Sequence, residues 1–246
     1  GVAAYIPRIG SLAQGAGVVY TGIAAAKSGD GGPALWPIGA KFLGRDSSTN
    51  LNHGTPIGGV SYSTNSPFAG SGSAAFDGSA DSYIYLSNDL NIGTNDFTAE
   101  AWFRVNALTG GNQGVFGKSR SGSASGRWTL YFAHPDKVRF LVQYDATQVV
   151  VGSTAVLSTG TWIHAAAVWD RDAGITIYVN GASNVFSAAS NETDLVYDYP
   201  VIIGRYDTLY PLLGEVADVR VWNVARTPSE IAANYTNRLT GTEAGL

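Results

Sequence analysis

The chain has 246 residues, a formal net charge of −4 and no cysteine. An acidic balance without a basic stripe excludes wholesale binding to nucleic acid or acidic membranes, and the missing cysteines exclude disulfides, thiolate metal sites and cysteine nucleophiles. A chain of this length buries a sizeable core as one all-β domain, and no stretch approaches the roughly 18 consecutive apolar residues of a membrane-spanning helix.

Residues 1–33 are rich in Gly and Ala, with short β-branched runs at 18–21 and 23–25 and no helical period. Arg8 and Lys27 outweigh Asp30 there, whereas the rest of the molecule is acidic. The opening GVAAYIPRIG lacks the basic start and continuous apolar centre of a secretory signal. Gly1 is compatible with a trimmed initiator methionine, and equally with the mature end of a secreted chain. The segment reads either as a terminal tail or as an arm that adds a strand to the sheet edge of another copy. We set the arm at 1–33 and the sandwich at 34–246.

From Ala34 onward, short apolar runs alternate with Gly, Ser, Asn and Asp clusters, the punctuation of an all-β sandwich. Residues 97–105 alternate strictly, so Phe97, Ala99, Ala101, Phe103 and Val105 point to a core while Thr98, Glu100, Trp102 and Arg104 form the opposite face. Further strands are expected at 115–118, 128–133 and 137–144, with His134, Pro135 and Asp136 turning between the last two. The intervening SRSGSASG offers nothing to a core and reads as a mobile loop. Residues 163–169 and 175–179 form a hairpin signal, and Asn180-Gly181 is the dipeptide favoured in a type I′ turn, so 183–186 return as a third antiparallel strand. The strand at 163–169 is apolar on both faces apart from His164, the pattern of a central strand. Thr227, Pro228 and Glu230 are the N-cap, first-turn proline and capping-box partner of a short helix ending near Tyr235.

Several segments, in this order, carry a family resemblance: Asp46-Ser47-Ser48, Asn52-His53-Gly54, Ala75-Phe76-Asp77-Gly78 with Asp81 and Tyr83, NDFTAEAW at 95–102, TWIH at 161–164, YVNG at 178–181, Ile203-Gly204 and GEVADVRVWN at 214–223. Together they resemble the laminin-G-like, concanavalin A-like jelly roll over about residues 34–236. The resemblance implies an all-β, two-sheet antiparallel jelly-roll sandwich with one short C-terminal helix, beside the N-terminal arm.

Glucanases of that fold use a Glu-x-Asp-x-x-Glu strand, because retaining hydrolysis needs two carboxylates about 5 Å apart on one face. No such spacing occurs here, and Glu215 and Asp218, three apart, are expected on opposite faces of a regular strand. His53, His134 and His164 have no neighbour at metal or triad spacing. His164 reads as a buried structural histidine turned away from Trp169. No Gly-rich stretch joins a strand to a helix with a lysine. The expectation is a protein that is not an enzyme.

Calcium is the expected cofactor, as a structural ion. GRDSSTNLN supplies Asp46, Asn50 and Asn52 on an irregular loop, and the resemblance implies an ion bridging this loop to Asp218 on the last strand. The same residues also read as an Asx-turn and an Asp218 to Arg220 pair. Glycan binding requires exposed aromatic platforms beside polar groups, and Trp128, Tyr206 and Tyr210 are the candidates. Trp102 and Trp222 are expected to lie under the neighbouring sheet. The wording FDGSADSYIYL followed by NIGTNDFTAEAW resembles domains of phage structural proteins. That implies a virion component, a capsid decoration or tail-associated protein made in the host cytoplasm, with capsid or tail proteins and copies of itself as partners. The alternative is an exported, extracellular carbohydrate-binding or adhesion module directed at surface glycans.

Overall fold

Strict alternation along 97–105 and a run apolar on both faces along 163–169 make two strands that pair in the middle of one sheet. The computed structural model describes residues 18–20, 53–86, 91–118, 126–189, 193–195 and 199–237. In chain order its strands begin with β1 (Val18–Tyr20), β2 (Gly54–Ile57), β3 (Ser61–Ser63), β4 (Ser73–Asp77), β5 (Tyr83–Leu86) and β6 (Phe97–Val105). They continue with β7 (Gln113–Lys118), β8 (Arg127–Ala133), β9 (Lys137–Tyr144), β10 (Thr147–Gly152), β11 (Ile163–Asp170) and β12 (Gly174–Val179). The last are β13 (Ala182–Ser187), β14 (Ile202–Ile203), β15 (Arg205–Tyr206), β16 (Tyr210–Pro211) and β17 (Leu213–Trp222), followed by helix α1 (Pro228–Asn234).

The first sheet runs β13-β12-β11-β6-β17-β4-β3, the second runs β10-β9-β8-β7-β14-β5-β2, and β15 with β16 forms a separate small hairpin. β11 lies between β12 and β6, with Ala165 opposite both Val179 and Ala101. Asn180 and Gly181 take φ of 49° and 79°, the left-handed pair that a type I′ turn needs.

The core fills the space between the sheets. Phe97, Ala99, Ala101, Phe103 and Val105 of β6 are buried with Trp128, Leu130 and Phe132 of β8 and Phe140 and Val142 of β9. The Phe97 ring lies 5.6 Å from Trp128, 5.9 Å from Phe140 and 6.0 Å from Trp169. Each such side chain contributes about 1.5–3 kcal/mol by leaving water. The second apolar face of β11 is buried as well: Ala166 and Val168, with Tyr178, pack on Ile231 of α1. The helix starts as its residues dictate. Glu230 N donates to Thr227 Oγ1 at 3.3 Å and Thr227 N donates to Glu230 Oε2 at 2.8 Å.

One expectation is corrected. β1 pairs within its own chain, Val18 opposite Val221 and Tyr20 opposite Val219, rather than with the edge of another copy. The reason is that β4 pairs with β17 only as far as Val216. The end of β17 is left with unpaired backbone groups on that side, which need partners. The rest of the arm, and residues 119–125 of the SRSGSASG loop, lie outside the described residues.

Candidate functional site

Alternation on β8 sends Trp128, Leu130 and Phe132 into the core, so Arg127, Thr129 and Tyr131 face out. On β9 the outward residues are Arg139, Leu141 and Gln143, which pair with Tyr131, Thr129 and Arg127. The hairpin of β15 and β16 is laid on this outer face. Gly114 on β7 makes that possible: a Cβ there would run into the backbone nitrogen of Tyr206, so only glycine allows the two backbones to touch. Arg205 anchors the hairpin, its Nη1 donating to the Ala80 carbonyl at 2.6 Å and its guanidinium lying 3.8 Å from the centre of the Tyr83 ring.

The result is a series of three stacked tyrosines. The rings of Tyr131 and Tyr206 are 5.1 Å apart at 27°, and those of Tyr206 and Tyr210 are 5.1 Å apart at 16°. Tyr131 is buried, whereas Tyr206 and Tyr210 are half-buried. Burial pushes the Tyr206 phenol above its ordinary value, with Arg127 opposing and Tyr131, Asp207 and Tyr210 reinforcing it. The Tyr131 phenol is likewise raised by burial, against a hydrogen bond with Arg139. Both therefore remain neutral hydroxyls at ordinary pH, able to donate and accept. Tyr206 lies between Tyr131 and Tyr210, so the ring edges, the outer side of Tyr210, the hydroxyls and the guanidinium groups at the rim are what the patch offers the apolar face and hydroxyls of a sugar. Gly114→Val should lift the hairpin from β7 and abolish ligand binding while the sandwich stays folded; binding measured alongside the melting temperature checks this.

Of the three aromatic residues named as glycan candidates, the structure brings Tyr206 and Tyr210 together and removes Trp128. Trp128 has no exposure and sits between Phe97 and Phe116. It faces inward because Arg127 and Thr129 on either side of it face outward. Tyr131 and Arg139, which complete the stack, carried a usable signal in the same alternation.

The outer face of the first sheet holds a buried charge cluster. Glu100 accepts from Trp222 Nε1 at 2.8 Å and lies 3.2 Å from His164 Nε2, 3.5 Å from Arg220 Nη1 and 3.7 Å from Arg226 Nη1. Burial alone would raise its carboxyl, but Arg220, His164 and Arg226 overcome this and hold it at about 2. Arg220 also bonds Asp218 Oδ2 and the carbonyls of Asn234, at the end of α1, and Asn237, beyond it. His164 is buried and turned away from Trp169, as its strand position requires.

Asp218 has φ of 52°, and the pairing of β17 with β6 shifts between Ala217 and Arg220. This bulge breaks strict alternation, so the expected separation of Glu215 and Asp218 onto opposite faces does not hold. Both carboxylates join networks on the outer face. Glu215 is held by Ser63 at 2.7 Å, Asn65 at 2.7 Å and Arg104 at 2.8 Å, and Asp218 by Arg220. Burial raises the Asp218 carboxyl, which Arg220 offsets only in part. A carboxylate engaged by an arginine among further cations does not fit a calcium ion. Asp46, Asn50 and Asn52 lie outside the described residues.

A second aromatic patch on this face carries less. Trp102 stacks on Tyr235 at 6.1 Å and Trp162 Nε1 donates to Asn65 Oδ1 at 3.2 Å, so its polar groups are engaged by the protein itself. Trp102 and Trp222 are covered from the C-terminal side, by Tyr235 and by Arg226, and not by the other sheet.

A two-sheet antiparallel sandwich bearing an aromatic face defines a jelly-roll class of protein. The model of the Concanavalin A-like lectin/glucanases superfamily matches residues 77–232, and the chain belongs to that superfamily. No curated protein sequence matches it. Among solved structures it is similar to the binding domain of Paraclostridial Mosquitocidal Protein 1, at 14% identity and a TM-score of 0.64 over 76% of this chain and 48% of that one. It is also similar to domain 4 of AbnA, an extracellular arabinanase from Geobacillus stearothermophilus solved with arabinotriose, at 17% identity and 0.59 over 72% and 81%. The binding domain of botulinum neurotoxin serotype G gives 12% and 0.61 over 78% and 47%. The chain thus spans about half the length of the two toxin domains.

Proposed function

We propose that the chain is a non-catalytic recognition module that binds glycans through the stack of Tyr131, Tyr206 and Tyr210. The observation that carries this is the stack itself, built on a face where a glycine seats the hairpin. The sandwich of AbnA that carries arabinotriose supports it. The non-catalytic reading is supported by Glu215 and Asp218, each engaged by an arginine, and by Glu100, enclosed in its cluster.

The setting we propose is a virion surface, as a capsid decoration or tail-associated protein made in the host cytoplasm, on the resemblance of FDGSADSYIYL and NIGTNDFTAEAW to phage structural domains. An extracellular adhesion module is the alternative, and co-purification with a particle separates them. Assembly through the arm rests on the arm residues other than Val18–Tyr20, whose backbone is paired within the chain. Calcium enters the proposal as a stabilising ion held by Asp46, Asn50 and Asn52 alone. A chelator should lower the melting temperature in proportion to the linkage; an unchanged curve removes the ion.

Tyr206→Ala and Tyr210→Ala should each weaken binding to arabinan oligosaccharides or to glycan-array ligands about tenfold, the loss of one aromatic contact. Unchanged affinity in both folded variants would overturn the assignment.

A further inference from the structure

We infer that the tyrosine face selects acidic glycans, those bearing carboxylate or sulfate groups; this rests on the binding reading above. Arg127 and Arg139 are both on the outer face of the second sheet. Arg139 is the cross-strand partner of Tyr131, and Arg127 stands on the same face of β8 opposite Gln143; Arg139 and Arg127 oppose the rise that burial imposes on the Tyr131 and Tyr206 phenols respectively. Arg127 precedes Tyr131 on β8 by two outward positions, about 13 Å along an extended strand, so it stands farther along the face than Arg139, which lies opposite Tyr131 on β9.

Neither guanidinium has a carboxylate at ion-pair distance among the described residues. The other arginines described above are engaged: Arg104 by Glu215, Arg220 by Asp218 and Glu100, and Arg205 by a carbonyl and the Tyr83 ring. Arg139 is exposed and Arg127 is half-buried, its Nε enclosed and without a hydrogen-bond partner among the described residues. The nearest acid at the stack, Asp207, turns its Oδ1 to its own loop, accepting from Thr208 N at 2.6 Å. Among the described residues, a chain of net charge −4 therefore presents two cations without a carboxylate partner on the face that carries the stack. Guanidinium groups bind carboxylate and sulfate oxygens through paired N–H donors. A sugar bound at the rim of the tyrosine stack shares the outer face of the second sheet with them.

The test compares dextran, dextran sulfate, arabinan and polygalacturonate by affinity electrophoresis on the full chain. Wild-type protein is expected to bind the two acidic polymers at least tenfold more tightly than the neutral ones, with the difference shrinking as salt rises. Arg127→Gln with Arg139→Gln should erase that difference, bringing acidic and neutral polymers to the same affinity, whereas Tyr206→Ala should weaken binding to both kinds. Equal wild-type affinity for acidic and neutral polymers overturns acid selectivity and leaves glycan binding standing. Acidic binding that survives Tyr206→Ala also overturns it, because the polymer is then attached by charge elsewhere. Failure of folded wild-type protein to bind any of the four overturns both readings.

Discussion

Glu100→Gln should lower the melting temperature by about 10 °C, from a loss of about 3–5 kcal/mol when one partner of a buried ion cluster is removed. The substitution keeps the shape and the acceptor for Trp222 Nε1, but it leaves Arg220, Arg226 and His164 facing a neutral amide. The expected pH dependence follows from the carboxyl being held at about 2, against an ordinary 4.5. A depressed carboxylate contributes stability that is present above pH 4.5 and is lost as pH falls toward 2. Asp218, whose carboxyl is raised, acts in the opposite sense, since its protonation relieves a buried charge. In the variant the Glu100 titration is absent, so its melting temperature should fall less steeply over that interval. Thermal denaturation across pH 2–5 checks both statements. A variant as stable as wild type would show that the cluster contributes little.

Trp128→Ala should cost about 3–5 kcal/mol, the range for removing a large aromatic residue from a packed core. The ring contacts Phe97 and Phe116 from the centre of the second sheet, and neither side can close the cavity without shifting a strand. Trp128→Phe is the informative companion. The indole nitrogen is enclosed without a hydrogen-bond partner among the described residues, so phenylalanine removes an unsatisfied donor and restores most of the packing. That variant should keep both its fold and its glycan affinity. A Trp128→Phe protein with a wild-type melting temperature and a tenfold loss of glycan affinity would return Trp128 to the binding face.

The strands were legible because alternation at period two is imposed wherever one face is buried, and 97–105 and 175–179 carry it plainly, while 163–169 is apolar on both faces because α1 covers the second. The same rule, applied along β8, separates Trp128 from Arg127 and Tyr131. Reading Trp128 instead from the loop before it gives the wrong face. Tyr206 and Tyr210 are legible from their setting between glycines, but their stacking on Tyr131 is not. It depends on Gly114, whose role appears only once a hairpin distant in sequence rests on it. The bulge at Asp218 is hidden for a similar reason. A non-glycine residue at positive φ is held there by surrounding contacts, in this case Arg220, and no local pattern announces it.

The most direct measurement of the binding claim is a titration of isotope-labelled protein with arabinan oligosaccharides and oligogalacturonate, following backbone and aromatic resonances. The predicted result is saturable shifts at Gly114, Tyr131, Arg139, Tyr206 and Tyr210, with Trp102 and Trp162 unmoved. Shifts centred on Trp102 and Trp162, with the tyrosine stack silent, would contradict it.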